Sequence, residues 1–258
     1  MTALKLFSKD QPPEPATKTK APRSPESAQL ADWLARGRGE VFSVTTLVSP
    51  DMARLLLAMN PDCMLERGAL AALIGYLRDH PRTGVAGPMI RDSDGALQYS
   101  ARSFPDHSTF LFNRYSLLTR LFPHNRFSRR YLLSDWDHAS ARDVDWLSGA
   151  CLMVRRAAIA EVGPMDEAYF MFNEDVDWCR RMKLAGWAVT YVPQARVVHH
   201  IGASRGKVAP KVIVERHRGM IHYFHKHHPA NRVVTFCADA LILLRAGVML
   251  TANALRRG

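Results

Sequence analysis

Short, continuously apolar runs alternate with segments of helical periodicity along the middle of this chain. Such runs have the length and composition of strands buried on both faces, whereas apolar residues at every third or fourth position indicate a helix with one buried side. The runs are RLLLAM at 54–59, GVAGPMI at 84–90, VDWLSGACLMV at 144–154, WAVTYV at 187–192 and ARVVHH at 195–200. Helices are predicted at 27–36, 66–80, 156–161, 174–185, 208–228 and 232–255. This alternation predicts an α/β sheet flanked by helices.

The two ends of the chain differ from this middle part. Residues 1–25 hold five of the fifteen prolines and few large apolar residues, which predicts a disordered tail. Residues 26–230 are predicted to form the folded domain, and 231–258 an amphipathic C-terminal helix. Because Asp239 and Arg245 interrupt its apolar sequence, we expect this helix to lie at a membrane surface or to pack on the domain, and not to span a membrane.

The chain is basic, with 35 Lys and Arg against 24 Asp and Glu and a formal charge of +11. Such a charge favours an anionic partner, which can be nucleic acid, a phosphate-bearing substrate or an acidic membrane surface. The basic residues are spread along the chain without a recognised nucleic-acid-binding module, so nucleic acid is not an expected partner. The N-terminus has no apolar run of signal-peptide length and the four cysteines form no C-x-x-C pair, which indicates a cytoplasmic protein with reduced thiols.

Asn60-Pro61-Asp62 follows a predicted buried strand. A carboxylate at the carboxyl end of a strand lies where α/β folds bind ligands, and Asp62 could there hold Mg²⁺ or Mn²⁺. The same three residues are also common in turns without any ligand. The motif alone leaves both interpretations open.

A second acidic group, Asn173-Glu174-Asp175-Val176-Asp177, begins a predicted helix. Asn173 suits the N-cap, and carboxylates are favoured in a first helical turn. Glu174 and Asp177 lie three residues apart on one face, whereas Asp175 points elsewhere and could face a cleft as a general base. Helix capping and catalysis therefore both explain this sequence.

Histidines and a glycine supply the remaining candidates. His199 and His200 end a strand, where imidazoles could bind a metal or a diphosphate, but no zinc pattern is present. The cluster at 225–228 is interpreted as a solvated basic helix end. Gly149, within an apolar strand, marks either the approach of a ligand or close packing. P-loop, G-x-G-x-x-G and G-x-S-x-G motifs are missing from the sequence, which argues against nucleotide hydrolases, dehydrogenases and serine esterases.

Taken in order, these motifs resemble the family 2 glycosyltransferases of the GT-A fold, and within them a bacterial rhamnosyltransferase-like branch. The resemblance runs from about Arg54 to Pro229. It rests on RLLLAMNPDCMLERGALAALIGYLRDHP, GVAGPMIRDSDGALQYSARSFP, DWLSGACLMVRR, VGPMDEAYFMFNEDVDWCRRMKLAGW and VVHHIGAS. It implies a GT-A-like, Rossmann-like mixed sheet with C-terminal helices.

The resemblance also implies a reaction and roles for matching residues. It implies inverting, metal-dependent transfer of a hexose, for which rhamnose is a candidate, from a nucleotide-diphosphate sugar to a cell-envelope glycan or a lipid-linked acceptor. Asp62 and His199 correspond to residues that bind the divalent metal, and Asp175, with Glu174 beside it, to the base that activates the acceptor hydroxyl. Substrate-binding positions are Asn60, Arg102, Trp146, Gly149 and Ala150.

The sequence before Asn60 departs from the pattern of the family, which affects the expected activity. The resemblance implies a preceding strand–helix repeat that binds the nucleotide, and the motifs of that repeat do not occur before Asn60. We therefore expect an N-terminally truncated domain that has weak or no activity alone, unless a partner chain supplies the donor-binding half. The alternative is a catalytically impaired remnant or accessory subunit that binds a membrane or a partner chain. An enzyme of this kind would be cytoplasmic, or peripheral on the inner face of the plasma membrane, where an anionic surface suits the charge.

Overall fold

The computed structural model describes residues 43–45, 54–106, 109, 121–122, 125–200 and 209–255, all within one unit that spans Glu40–Gly258. The tail predicted at 1–25 and the helix predicted at 27–36 lie outside the described residues. The strands are β1 Ser43–Thr45, β2 Leu55–Met59, β3 Cys63–Leu65, β4 Thr83–Arg91, β5 Leu97–Gln98, β6 Ala101–Arg102, β7 Arg142–Asp143, β8 Trp146–Leu147, β9 Cys151–Arg155 and β10 Ala188–His199. The helices are α1 Ala69–Asp79, α2 Arg126–Leu132, α3 Arg156–Val162, α4 Glu174–Leu184, α5 Pro210–His227 and α6 Arg232–Leu255.

Eight strands form one mixed sheet. Its path is β1-β2-β9-β4-β10-β3, with β5 added to β4 and β7 added to β10, while β6 and β8 form a separate pair. β4 and β10 run parallel, and β9 runs antiparallel to both β2 and β4. The predicted α/β sheet is confirmed, and the central position of β9 and β4 explains why their sequences are apolar without alternation.

Helices cover both faces of the sheet. On one face, Leu73 and Leu77 of α1 pack with Ala86 and Ile90 of β4. On the other, α4, α5 and α6 join a core with residues of β4 and β9 that point the opposite way. The two cores flank the same strands, so the loops at the strand ends are held between well-packed layers.

The helix predicted at 66–80 begins three residues later than its pattern suggested. Gly68 stands before the first turn with φ 85°, a conformation that glycine adopts without steric cost, and α1 then runs to Asp79. Pro81 follows the C-cap His80 and prevents continuation of the helix.

The strands predicted on either side of Pro193 are a single strand. β10 continues through the proline, and its pairing with β4 shifts register between Val192 and Arg196. The prediction of two strands was wrong because the shift leaves room for a residue that has no amide hydrogen to donate.

Candidate active site

Asp62 and His199 come together at one end of the sheet. Antiparallel pairing of β3 with β10 places His199 opposite Cys63, and the His200 amide donates to the Asp62 carbonyl at 2.9 Å. The Asp62 Oδ1 and His199 Nε2 atoms lie 3.2 Å apart, with the His199 side chain 15% exposed and that of Asp62 43% exposed. Two residues that are 137 positions apart in sequence thus form a partly accessible oxygen–nitrogen pair.

Gln98 orients the His199 ring. Its side-chain oxygen lies 2.9 Å from Nδ1, and its amide nitrogen donates to the His199 carbonyl at 3.1 Å and to the Asp92 carboxylate. Since an amide oxygen only accepts, Nδ1 carries a proton, and a neutral ring then directs the lone pair of Nε2 at Asp62. Gln98 was not among the predicted site residues, because nothing in sequence links β5 to the end of β10.

Cys63 is the third potential metal ligand at this position, but it differs from Asp62 and His199 in its protonation state. The ligand atoms of Asp62, Cys63 and His199 all lie within 4.8 Å of one another. Burial, aided by the charge of Asp62, raises the pKa of the Cys63 thiol to about 12, and its sulfur donates to the Ala150 carbonyl at 3.3 Å. The thiol is therefore protonated, and the available ligands are the carboxylate and the imidazole.

Asp175 lies in the first turn of α4 and is held by backbone amides. Its Oδ2 accepts the Gly149 N–H and its Oδ1 the Val176 N–H, each at 2.8 Å. A Cβ at position 149 would lie 3.3 Å from the Asp175 Cβ and 3.4 Å from Oδ2, so the glycine permits this close approach. The glycine therefore contacts a predicted site residue.

The segment Ser148-Gly149-Ala150 connects the two groups of site residues. Gly149 donates to Asp175, and the next carbonyl, of Ala150, accepts from the Asn60 amide at 2.9 Å and from the Cys63 thiol. The turn that carries Asp62 is thus joined through two residues, Gly149 and Ala150, to the helix that carries Asp175. Contacts thus connect the segments 60–63, 148–150 and 174–175 and His199, to which the resemblance assigns site residues, and their roles remain a prediction.

Arg102 and Trp146 line the Asp175 side of this arrangement. The Arg102 guanidinium lies 5.0 Å from the Trp146 ring centroid and 5.8 Å from that of Tyr131, while its Nε donates to the Tyr99 carbonyl at 2.7 Å. The Trp146 indole is 5% exposed and donates to the Ser103 carbonyl. Trp146 lies three residues before Gly149, whose amide holds Asp175, and the charge of Arg102 acts against the rise in the pKa of Asp175 that burial causes.

Burial changes the proton affinity of the acidic pair. It raises the pKa of Glu174 to about 8, and the charge of Asp175 adds to that effect. Burial also raises the pKa of Asp175, although the amides of Gly149 and Val176 and the charge of Arg102 act against it. Both Asp175 oxygens accept amide hydrogens, whereas Oε2 of Glu174 is buried without a partner among the described residues. The proton of the pair therefore belongs on Glu174.

The raised pKa of Glu174 predicts a stability difference that depends on pH. A carboxyl that ionises at about 8 when folded, against 4.5 ordinarily, stabilises the fold at low pH and loses that contribution as the pH rises through 8. Glu174→Gln removes this loss, so the stability of the variant relative to wild type should rise by about 1 kcal/mol per pH unit between pH 6 and 8. Urea unfolding across this range measures the difference, and Glu167→Gln, at an exposed position, should show none.

The backbone that enters α4 is unusual. Phe172 and Asn173 have φ of 67° and 70°, a region that non-glycine residues seldom occupy. Asn173 is the N-cap as predicted, but its side chain makes no capping hydrogen bond, and its Nδ2 is buried without a partner among the described residues. A Cβ on Gly219 of α5 would lie 3.1 Å from both Asn173 Nδ2 and the Phe172 carbonyl oxygen, so α5 packs closely on this turn. Strain and an unpaired donor beside Glu174 are features common at functional sites.

Asp177 links α4 to α5 through a buried ionic cluster that sequence reasoning missed. It is fully buried, and the Arg181, Lys226 and His227 side chains approach it at 2.8, 2.9 and 2.6 Å. The 225–228 cluster was interpreted as a solvated helix end. That was wrong for His227, whose side chain is 7% exposed and is held against Asp177. Only folding brings position 177 next to 226–227, so sequence spacing gave no signal.

The family of this protein follows from its sequence over most of the chain. The profile of the family described as "Glycosyltransferase like family 2" matches residues 36–220. The chain belongs to this family. Its mixed sheet with flanking helices is the GT-A-like fold expected of such a domain, and the resemblance inferred from the motifs is confirmed.

Named relatives of this family 2 domain include rhamnosyltransferases. It is 39% identical over 163 residues to "N-acetylglucosaminyl-diphospho-decaprenol L-rhamnosyltransferase" of Mycobacterium tuberculosis, covering 63% of this chain and 52% of the relative. It is 29% identical over 146 residues to "Rhamnosyltransferase WbbL" of Escherichia coli K12, covering 56% and 52%. The chain spans about half the length of the curated relatives it matches.

A solved structure is also similar to the family 2 domain, at a low level. The crystal structure of GalNAc-T7 with UDP, GalNAc and Mn²⁺ aligns with a TM-score of 0.40 and 15% identity, covering 65% of this chain and 32% of that one. A similarity of this size supports no argument about residues or chemistry.

Proposed function

We propose that this family 2 protein catalyses inverting transfer of a hexose from a nucleotide-diphosphate sugar to a hydroxyl group of a cell-envelope glycan or lipid-linked acceptor. The observation that carries the proposal is the connection of Asp175 to the turn of Asp62 through Gly149 and Ala150. A base for the acceptor and a site for the donor diphosphate are the two parts that such a reaction requires. The rhamnosyltransferase names of its relatives make rhamnose the first sugar to test.

Asp175 is the proposed base. Its buried carboxylate takes the proton of the acceptor hydroxyl as that oxygen bonds to the anomeric carbon of the sugar. The bond from that carbon to the diphosphate oxygen breaks, and its electron pair leaves with the nucleoside diphosphate. The two amides that hold Asp175 fix its direction, and burial keeps its proton affinity high enough to accept a proton. Neutral Glu174 can donate a hydrogen bond to the substrate.

Asp62 and His199 are the proposed ligands of a divalent metal. A carboxylate oxygen and an imidazole lone pair that face each other at 3.2 Å form a donor set suited to a cation such as Mn²⁺, or Mg²⁺ with further oxygen ligands. A bound cation supplies positive charge that stabilises the diphosphate of the leaving group. Gln98 keeps the His199 lone pair directed at this position.

The proposed acceptor side is the Arg102, Trp146 and Tyr131 group. The two rings hold the Arg102 guanidinium in place, and a guanidinium suits a hydroxyl or a phosphate oxygen of the substrate. The name of the Mycobacterium tuberculosis relative includes N-acetylglucosaminyl-diphospho-decaprenol, a lipid-linked sugar. This name supports a lipid-linked acceptor here. We infer accordingly that the protein works on the cytoplasmic side of the plasma membrane.

A transfer assay tests this proposal. Membranes from cells that express the chain supply lipid acceptors and any partner chain, and are incubated with radiolabelled nucleotide sugars, dTDP-rhamnose first, and Mn²⁺. Chain-dependent incorporation into a lipid or glycan fraction, with inverted anomeric configuration by NMR, is the expected result. If no donor gives chain-dependent incorporation, the proposed reaction is wrong and the chain acts as a remnant or an accessory subunit.

The metal ligands can be tested without catalysis. Asp62→Asn and His199→Gln should each weaken Mn²⁺ binding by about tenfold or more, because each removes one of two protein ligands. Electron paramagnetic resonance of free Mn²⁺ during titration of the purified chain measures this. Asp94→Asn, in the exposed turn before β5, is the control and should leave Mn²⁺ affinity unchanged.

A further inference from the structure

Helix α6 has two chemically different sides. Ala238, Ile242 and Ala246 are buried, and their spacing of four residues defines the side that faces α5. The two charged residues in the interior of the helix turn toward the protein as well. Asp239 accepts from His225 of α5 at 2.9 Å, and Arg245 contacts Met220 of α5.

The outward side of α6 consists of apolar and small side chains. Over its 24 residues, about 36 Å, large apolar residues are widely exposed. They are Val233, Phe236, Leu241, Leu243, Leu244, Val248 and Leu255, with exposed fractions between 48% and 77%. The mean hydropathy of its 18-residue window is 2.0 and only 11% of that window is buried, so α6 is not a core helix although it is apolar and long enough to cross a membrane. A continuous exposed apolar face of this length needs an occupant.

We propose that the outward face of α6 lies in the interfacial region of an anionic phospholipid bilayer. Charge complementarity selects this occupant. Arg232 begins the helix, and α2 carries the exposed Arg126, Arg129 and Arg130. The two helices pack on the same hydrophobic core, to which α2 contributes Tyr131 and α6 contributes Ile242. Apolar side chains next to basic ones are the combination that binds anionic leaflets.

Other occupants fit the observations less well. A membrane-spanning position would separate Asp239 from His225 and move two charged groups into hydrocarbon, which is unfavourable. A second copy of the chain would bring two sets of α2 arginines and two chains of formal charge +11 together. An anionic lipid surface would bury the apolar face of α6 and pair with the arginines at the same time.

Docking through α6 would determine how the acceptor reaches the site. Tyr131 belongs to α2 and also contacts Arg102 and Trp146, and Trp146 lies three residues before Gly149, whose amide donates to Asp175. A bilayer against α6 and α2 therefore lies on the acceptor side of the site, where a lipid-linked substrate would enter. This consequence rests on the proposed function, whereas membrane binding itself does not.

Vesicle flotation with the full-length chain tests the docking surface. Wild type should float with vesicles of phosphatidylcholine and 30% phosphatidylglycerol, and about tenfold less with pure phosphatidylcholine. The double variant Leu244→Glu/Val248→Glu places two carboxylates on the outward face and should reduce the floating fraction about tenfold. Leu184→Glu, on the exposed end of α4, is the matched control and should float like wild type. Circular dichroism verifies that each variant is folded.

Each outcome has a definite meaning. The proposal is overturned if wild type does not float, if the double variant floats as well as wild type, if alkaline carbonate fails to release the bound chain, or if the double variant splits a dimer in light scattering. Transfer to a water-soluble glycoside acceptor is measured with the same variants in membranes of expressing cells, which supply any partner chain. Flotation without transfer counts against the proposed function alone, and transfer by wild type without flotation counts against the docking surface alone.

Discussion

Asp175→Asn should lower the transfer rate about a thousandfold while the fold remains intact. The amide has the size of the carboxylate but cannot take a proton from the acceptor hydroxyl, and general-base catalysis typically contributes about 10²–10⁴ in rate. One of the two amides, of Gly149 or Val176, can still donate to the side-chain oxygen that remains, and the other loses its acceptor. The measurement is kcat at saturating donor and acceptor, with KM for the donor expected to change little.

Two controls make the Asp175 result specific. Asp79→Asn is the same chemical change at an exposed position that pairs with the neighbouring Arg78, and it should leave kcat unchanged. The pH dependence is a second control. Because burial raises the pKa of Asp175, wild-type kcat should rise with pH through a value above that of an ordinary aspartate. A kcat for Asp175→Asn within threefold of wild type would remove this residue from the mechanism.

Asp177→Asn should lower the free energy of unfolding by about 3–5 kcal/mol, the effect typical of breaking a buried ion pair from one side. Burial alone would raise the pKa of Asp177, but hydrogen bonds from Lys226, His227 and Arg181 lower it overall. The carboxylate therefore stabilises the fold above the ordinary pKa of aspartate and loses this effect as the pH falls through its own lower pKa. A neutral amide at this position would leave the surrounding cations without their counter-charge. Urea unfolding at pH 7 measures the difference.

Milder variants keep this prediction testable if Asp177→Asn does not fold. Lys226→Met removes one of the two cations beside Asp177, since burial lowers the pKa of His227 and leaves it neutral at pH 7. Because Lys226 also contacts Asp166 at 2.7 Å, the variant should cost about 1–2 kcal/mol. Asp135→Asn breaks the exposed pair with Arg129 and should cost less than about 0.5 kcal/mol. If Lys226→Met and Asp135→Asn lower the free energy of unfolding equally, the buried Asp177 cluster stabilises the fold no more than an exposed ion pair does.

Local sequence was sufficient for most elements and for the chemistry of single residues. The apolar runs that became β2, β4 and β9 are short and continuous because these strands are covered on both faces. The predictions were wrong where contacts with residues distant in sequence changed the structure that the neighbouring residues favour. Pro193 suggested a strand break, but the shifted pairing with β4 accommodates it, and His227 suggested solvent until Asp177 became its neighbour.

In the candidate site, too, some properties follow from local sequence and others from contacts between distant segments. The sequence by itself determined that Asp62 follows a strand, that Asp175 lies in the first turn of a helix and that Gly149 interrupts an apolar run, because these properties depend on residues within a few positions. Only the tertiary structure decided that Gly149 contacts Asp175, that Ala150 binds the Asn60 turn and that Gln98 orients His199. It also decided that both interior charges of α6 face the protein. Contacts between distant segments depend on strand order and helix packing, which hydrophobic periodicity constrains but does not specify.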